Sequence, residues 1–293
     1  MSAVLHISDT HFGTQRPQVV EALLAFAQQQ QPNAVVLSGD ITQRALPAEF
    51  RAAKAFTDKL GAPVLAIPGN HDIPLFDLWA RLTQPYARYA AAFGNDLEPV
   101  MSLPNLLLIG VNTTRAWRHK NGEVSAAQID RVSQRLAQSN PEQLRMVVVH
   151  QPAAVTQPGD RVNLLRGHLQ ATRAWAAAGA DLVMGGHIHL PFTLDLQGLA
   201  RQMWVVQAGT AVSTRTRPDV PNSVNLVRWK NVPRALAEAT AERSPGQANP
   251  QANPQLEAQP LCVIERWDFS SADQAFVRAQ VTCLQPERNS TRR

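Results

Sequence analysis

An α/β fold, with a second sheet packed on the first and helices outside, is the architecture this 293-residue sequence predicts. Three observations predict it. Apolar runs that read as buried strands recur along the chain, and the first of them are separated by segments with apolar residues at helical spacing. From residue 145 onward the texture changes to short strands with one helix among them. Five of the strand-like runs, AVLHIS, AVVLSG, PVLAIP, RMVVV and DLVMG, end in or just before Asp, Asn or His. In an open α/β sheet the carboxyl ends of the strands converge on one crevice, so these polar residues are expected to meet in space.

Taken in order, the first strand (residues 3–8) leads into a helix with Val19, Val20, Leu23, Leu24 and Ala27 on one face. The strand Ala34 to Ser38 completes a βαβ unit with a parallel pair. Residues 47–60 repeat the pattern, with Pro47 where a first helical turn tolerates it and Phe50, Ala53 and Leu60 as an inward stripe before a strand at 63–67. Residues 76–93 read as helix broken at Pro85, and their aromatics Phe76, Trp79, Tyr86, Tyr89 and Phe93 are expected to pack as core or lid. A strand Leu106 to Val111 precedes Asn112-Thr113-Thr114 and a helix opened by Ser125, with Gln128 three residues later forming a capping box. Short strands follow at 145–149, 181–184, 192–196, 203–208, 223–228, 261–268 and 276–283, with one helix at about 166–178. The stretch SPGQANPQANPQLEAQP at 244–260 nearly repeats itself and reads as a flexible surface insertion in what is otherwise a single domain, 1–293.

Composition bounds the class. A hydrophobic content of 44% is enough for a sizeable core. The net charge of +5 and pI near 9.8 suit an anionic substrate, although Lys and Arg are spread along the chain as on a solvated surface. The two cysteines, Cys262 and Cys283, fall in a late hairpin and are expected to be core thiols of a reducing compartment. MSAVLHISDTH runs straight into a strand with no export signal. No apolar stretch reaches the roughly 18 to 20 residues a bilayer span needs. The expectation is a cytoplasmic protein without membrane insertion, its oligomeric state open.

The polar strand ends carry the chemistry. They are Asp9-Thr10-His11, Gly39-Asp40, Gly69-Asn70-His71-Asp72, His150 and Gly186-His187-Ile188-His189. Residues i and i+2 of an extended segment point the same way, so Asp9 with His11, and His187 with His189, can each address one metal region. Gly39-Asp40 alone is also common in nucleotide-binding folds. Asn70 offers a neutral carbonyl oxygen, while His71 must point elsewhere and is available as an acid. Five of the eight histidines fall inside these segments; His6, His119 and His168 do not. Any one of them alone reads as a structural residue, but jointly they make a nitrogen and oxygen field for divalent or trivalent ions such as Mn, Fe, Zn or Co.

The ordered pattern D-x-H, G-D, G-N-H-D, H, G-H-x-H resembles the calcineurin-like metallophosphoesterase superfamily. The segments SDTHFG, LSGDIT and IPGNHD look most like its bacterial class III cyclic-nucleotide phosphodiesterase-like members. The resemblance implies a four-layer α/β/β/α sandwich of two mixed sheets with a dinuclear metal site at the C-terminal ends of the strands. Carried over, one metal is held by Asp9, His11, Asp40 and His189, and the other by Asp40, Asn70, His150 and His187, with Asp40 bridging. His71 then protonates the leaving oxygen. A water between two such cations is acidified toward neutrality and supplies a hydroxide for in-line attack.

Family members often carry an aspartate three residues after the bridging one in support of that histidine; here Gln43 stands there. Beyond the metals, the phosphate-gripping candidates are Asn112, Arg115, Arg118, His119, Lys120, Thr210, Arg215 and Arg217. The resulting expectation is hydrolysis of a phosphodiester in a small nucleotide-like substrate such as a cyclic nucleotide. Phosphomonoesterase and nuclease activities on the same centre are the alternatives. Binding of nucleic acid is disfavoured, because no Lys/Arg run appears outside the tail Arg288 to Arg293 and aromatic and basic residues do not interleave. A non-catalytic scaffold would be expected to have lost ligands, and all seven ligand positions are chemically competent.

Overall fold

Two six-stranded mixed sheets lie face to face in the computed structural model, which describes residues 1–233 and 258–287. The first sheet has the order β12-β11-β10-β1-β2-β3, built from β1 (Ser2–Ile7), β2 (Ala34–Leu37), β3 (Val64–Ala66), β10 (Ser223–Pro233), β11 (Ala258–Ser270) and β12 (Ala275–Leu284). β1, β2 and β3 are parallel, while β10 joins β1 antiparallel. The second sheet runs β4-β5-β6-β7-β9-β8, from β4 (Val100–Leu103), β5 (Leu106–Gly110), β6 (Leu144–Val148), β7 (Leu182–Gly185), β8 (Phe192–Asp195) and β9 (Trp204–Gln207). Its four central strands are parallel and both edges antiparallel.

The layering follows from side-chain alternation along the strands. On β1, Ala3, Leu5 and Ile7 face outward onto α1 (Pro17–Gln30) and α2 (Pro47–Thr57), meeting Val19, Leu23, Phe26, Phe50, Ala53 and Phe56. Between them, Val4 faces inward and joins Val36 and Leu65 against Leu108, Met146, Val148, Met184 and Val206 of the second sheet. The outer face of that sheet, with Leu107, Ile109, Val147, Val183 and Val205, is covered by α5 (Ala126–Ala137) and α6 (His168–Ala177) through Ile129, Val132, Leu136, Trp175 and Ala176. The three apolar interfaces define the α/β/β/α order.

The strongest local signals of the sequence reappear in the fold. Ser125 Oγ accepts from the Gln128 amide at 3.2 Å and Gln128 Oε1 accepts from the Ser125 amide at 2.9 Å, the reciprocal cap expected at the start of α5. The helix expected over 76–93 is interrupted around Pro85, giving α3 (Leu78–Thr83) and α4 (Ala87–Phe93).

Other expectations are corrected. Tyr89 is fully buried, its hydroxyl donating to the Ala66 carbonyl at 2.8 Å, but Phe76 and Trp79 are 79% and 78% exposed and lie outside the core. Cys262 is buried while Cys283 is exposed. The register pairs Cys262 with Leu284 and Val263 with Cys283, which puts the thiols on opposite faces of the ribbon. Residues 244–257 and the basic tail 288–293 lie outside the described residues, yet the last three residues of the expected insertion, Ala258, Gln259 and Pro260, begin β11. There β11 pairs only with β10, so it is locally an edge that accommodates proline. Among the described residues no helix is long and apolar enough to cross a membrane.

Candidate metal centre

Every polar strand end named above arrives at one place. Asp9 and His11 follow β1, Asp40 follows β2, Asn70 and His71 sit in a 3₁₀ turn (Asn70–Asp72) after β3, His150 follows β6, and His187 and His189 follow β7. The site therefore straddles the seam between the sheets.

The backbone needed to turn these residues inward is unusual. Asp9, His11, Asp40, His187 and His189 all adopt positive φ, between 40° and 73°. Asp and His are among the few L residues that visit this region with any frequency. Two glycines permit the close approach: a Cβ on Gly39, itself at φ 93°, would lie 2.5 Å from His150 Nδ1, and one on Gly186 would lie 1.9 Å from Ser8 Oγ and 2.5 Å from Asp9 Oδ2.

Three overlapping sets of side chains have ligand atoms within 4.8 Å of one another: Asp9, His11 and His189; His11, Asp40 and His71; and Asp40, His150 and His187. His189 Nε2 lies 3.3 Å from Asp9 Oδ1, and His11 Nε2 lies 3.8 Å from both Asp9 Oδ1 and Asp40 Oδ2. His150 Nε2 lies 3.2 Å from the other oxygen of Asp40. Asp40 thus addresses both flanks of the site, one through each carboxylate oxygen.

The imidazoles are held from behind. His150 Nδ1 donates to the Ser38 carbonyl at 2.8 Å and His71 Nδ1 to the Gln43 carbonyl at 2.9 Å. His11 Nδ1 faces the Thr42 carbonyl at 3.3 Å, and His189 Nδ1 contacts Thr210 Oγ1 at 2.6 Å and the Arg215 carbonyl. Outer contacts of this kind fix the tautomer and leave Nε2 for a ligand. Backbone amides complete the frame, His187 N donating to Asp9 Oδ2 at 2.9 Å and His71 N to Asp40 Oδ1 at 2.8 Å.

Several inward atoms have no hydrogen-bond partner among the described residues: His11 Nε2, both ring nitrogens of His187 and Asn70 Oδ1 are buried and unpaired, while His150 Nε2 faces Asp40 Oδ1 at 3.2 Å. Buried polar atoms are almost always satisfied, so a concentration of lone pairs aimed at one point is what a cation site requires. The donor set of imidazoles, carboxylates and one amide oxygen matches borderline divalent metals, and the residues fit a metal centre.

The electrostatics agree. Burial, and next the His150 ring, push His187 down to about 3, and burial likewise holds His11 well below the ordinary imidazole value, so both rings are neutral, the form a metal ligand takes. Burial would lower His150 as well, but the adjacent Asp40 carboxylate prevails and raises it to about 9. Against the opposing effect of burial, His150 and His71 hold Asp40 ionised well below the usual carboxylate range.

Asp72 has a part that the sequence left unassigned. Fully buried, its carboxylate accepts from the amides of Gly69 (2.8 Å), Ile41 (3.1 Å) and Thr42 (2.8 Å) and from Thr42 Oγ1 (2.8 Å), pinning the turn that carries Asn70 and His71 to the loop after Asp40. Burial, and next the Asp40 charge, raise it to about 6. Ser38, Thr42 and Thr210 were also unmarked as supports, because a strand-end Ser or Thr has no spacing signature of its own.

The other phosphate-gripping candidates disperse. Arg217 bonds the Ile188 carbonyl at 2.6 Å and pairs with Asp160; Arg118 pairs with Glu123 at 2.6 Å; Arg115 turns onto the carbonyls of Asn112 and Thr114 and onto Gln128. Asn112 accepts from Thr114 and is turned inward, and His119 is exposed. Lys120 is exposed, but its charge is felt at His187. Arg215 alone of these arginines bonds the expected acid: Nη1 lies 3.0 Å from His71 Nε2 and 3.2 Å from Gln43 Oε1.

A two-sheet sandwich with histidine and carboxylate ligands converging at its strand ends defines the class of a metal-dependent phosphoesterase. A family model described as calcineurin-like phosphoesterase matches residues 2–191, well over half of the chain, and the chain belongs to that family. A probable cyclic nucleotide phosphodiesterase of Synechococcus is 28% identical over 68% of this chain and 73% of its own length. A cAMP/cGMP dual specificity phosphodiesterase of Mycobacterium tuberculosis is 26% identical over 67% of this chain and 64% of its own. A dimetal phosphatase from Danio rerio has the same fold, with TM-score 0.63 at 15% identity, over 98% of this chain and 99% of its own.

Proposed function

We propose that this single-domain chain hydrolyses the phosphodiester bond of a small nucleotide-like substrate, such as a cyclic nucleotide, at a dinuclear metal centre. The observation that carries the proposal is the convergence of unpartnered, buried ligand atoms from both sheets on one point. The names of the Synechococcus and Mycobacterium relatives support the choice of a cyclic nucleotide.

In this reading Asp9, His11, Asp40 and His189 hold one cation, and Asp40, Asn70, His150 and His187 hold the other. When bound, the two cations supply positive charge for the phosphoryl group and an activated water as nucleophile. Manganese, iron, zinc and cobalt all suit the ligand set.

The remaining steps belong to the chain itself. His71 keeps its Nδ1 proton on the Gln43 carbonyl, so Nε2 is the nitrogen presented to the substrate. A proton carried there passes to the leaving oxygen as the bond to phosphorus breaks, so that the alcohol departs neutral. The Asp72 clamp holds Asn70 and His71 in register with Asp40.

The test is the steady-state rate of the manganese-supplemented protein on bis(p-nitrophenyl) phosphate beside p-nitrophenyl phosphate, with chelated and Asp40→Asn protein as blanks. Hydrolysis of the diester that disappears in both blanks is expected. Turnover of the monoester alone would replace the diesterase by a monoesterase, and turnover of neither, with two metals bound, would overturn the proposal.

A further inference from the structure

Arg215 stands out among the cations around the centre. It lies on the loop between β9 and β10, and the structure fixes both of its ends. Its backbone carbonyl accepts from Thr210 Oγ1 at 2.7 Å and from His189 Nδ1, so the residue is tied directly to a ligand histidine. Its amide donates to Ser213 Oγ at 3.3 Å. Its guanidinium crosses the mouth of the site to His71 Nε2 and Gln43 Oε1, 144 and 172 residues away in sequence.

Both partners of that guanidinium are weak. The same Nη1 lies 3.0 Å from His71 Nε2 and 3.5 Å from His71 Nδ1, so the guanidinium rests over the imidazole ring and not on the in-plane lone pair of either nitrogen. Gln43 offers a neutral amide oxygen. Among the described residues no carboxylate forms an ion pair with Arg215, whereas Arg217 and Arg118 are committed to Asp160 and Glu123. A carboxylate at position 43 would hold Arg215 in a charge-assisted pair and lock it to the wall; the glutamine leaves it exchangeable. An anionic oxygen pair offers a guanidinium a two-pronged ionic contact that a neutral amide oxygen or imidazole cannot supply.

We propose that Arg215 is a substrate-binding residue that grips a non-bridging phosphoryl oxygen, and that Gln43 keeps it free for that task. This rests on the phosphoesterase reading above and adds a specificity element to it.

The experiment compares wild-type, Arg215→Gln, Arg215→Lys and Gln43→Glu proteins, each loaded with manganese and checked for equal metal content and thermal melting. The readouts are kcat and KM on bis(p-nitrophenyl) phosphate and the binding of inorganic phosphate by calorimetry. Loss of a hydrogen bond to a charged group predicts phosphate affinity and KM weaker by roughly tenfold to a hundredfold in Arg215→Gln. Arg215→Lys should recover part of that loss, since an ammonium keeps the charge but not the fork.

Gln43→Glu, nearly isosteric, should weaken phosphate binding although it touches no substrate, because its carboxylate captures the guanidinium. Millimolar guanidinium added to an Arg215→Ala protein should restore phosphate affinity. Unchanged phosphate affinity in Arg215→Gln, at full metal content, would overturn the inference while leaving the phosphoesterase reading intact. A wild-type protein that turns over no phosphoester would sink the parent reading, and the calorimetric comparison would still decide whether Arg215 holds phosphate.

Discussion

Replacing His6 by Gln should flatten the acid limb of this protein's stability curve. His6 lies on β1 beneath the site, fully buried, with Nε2 2.9 Å from Ser38 Oγ and Nδ1 facing the Asn225 amide at 3.5 Å. Burial alone drives its pKa from 6.5 down to about 3. The folded value is thus depressed, so its contribution to stability is fully present above pH 6.5 and is lost as the pH falls toward 3. In that window the unfolded chain binds a proton that the native chain refuses. At 1.36 kcal/mol per pH unit, the loss is about 2 kcal/mol between pH 6.5 and pH 5, and about 5 kcal/mol by pH 3. Gln retains hydrogen bonding but cannot titrate. Urea unfolding of both proteins, followed by tryptophan fluorescence in chelator at pH 7, 6 and 5, gives the comparison. His11 and His187, also held neutral, contribute equally to both proteins and cancel. Whatever separates the two at pH 7, the separation should shift by about 2 kcal/mol in favour of the variant by pH 5. Parallel curves would refute the burial argument.

Three further outcomes follow from the centre. Metal at a hundred times its Kd should stabilise the protein by about 2.7 kcal/mol per site, raising Tm by about 5 °C or more, and Asp40→Asn should abolish most of that rise in a thermal-shift assay with manganese. Because His150, raised to about 9, is protonated at pH 7 while His11 and His187 are already neutral, metal binding should release at least one proton. Calorimetry in two buffers of different ionisation heat reads this, and a buffer-independent enthalpy would contradict it. Gly186→Ala puts a methyl 1.9 Å from Ser8 Oγ and 2.5 Å from Asp9 Oδ2; it should cost about 1–3 kcal/mol and reduce metal content measured by atomic absorption, whereas Gly198→Ala, whose Cβ meets nothing within 4 Å, should leave metal content unchanged.

The convergence of the strand-end Asp, Asn and His residues was legible because each coincides with the end of a buried apolar run, where pattern and chemistry reinforce one another. The capping box at Ser125 and Gln128 was legible for the same reason, being wholly local. β4 was not foreseen: it is a four-residue edge strand with alternate residues exposed, so Val100–Leu103 carries no apolar run. Phe76 and Trp79 carried the hydrophobicity of a core stripe, but Phe76 precedes the first turn of α3 and Trp79 lies on the exposed side of that six-residue helix. Cys283 lies on the edge strand β12, most of whose residues are exposed. The role of Asp72 was hidden because its partners are backbone amides, which no side-chain pattern records. The meeting of Arg215 with Gln43 and His71 depends on the docking of one sheet on the other, and that docking is a property of the whole chain.

The left-handed turns at Asp9, His11, Asp40, His187 and His189 restrict what can stand there twice over. Ligand chemistry admits Asp, Asn, Glu, His or Cys, and the backbone admits Gly, Asn, Asp and His with least strain; the overlap is Asp, Asn and His. Drift among metal preferences in this scaffold is therefore confined to exchanges within a three-letter alphabet, and thiolate ligands are disfavoured by conformation before softness is considered. The same overlap sets the terms for mutagenesis. Alanine at these positions would remove a proposed ligand and add a backbone penalty of about 1–2 kcal/mol, so its effects would exceed the side chain's own contribution, while Asp→Asn and His→Asn exchanges isolate the chemistry.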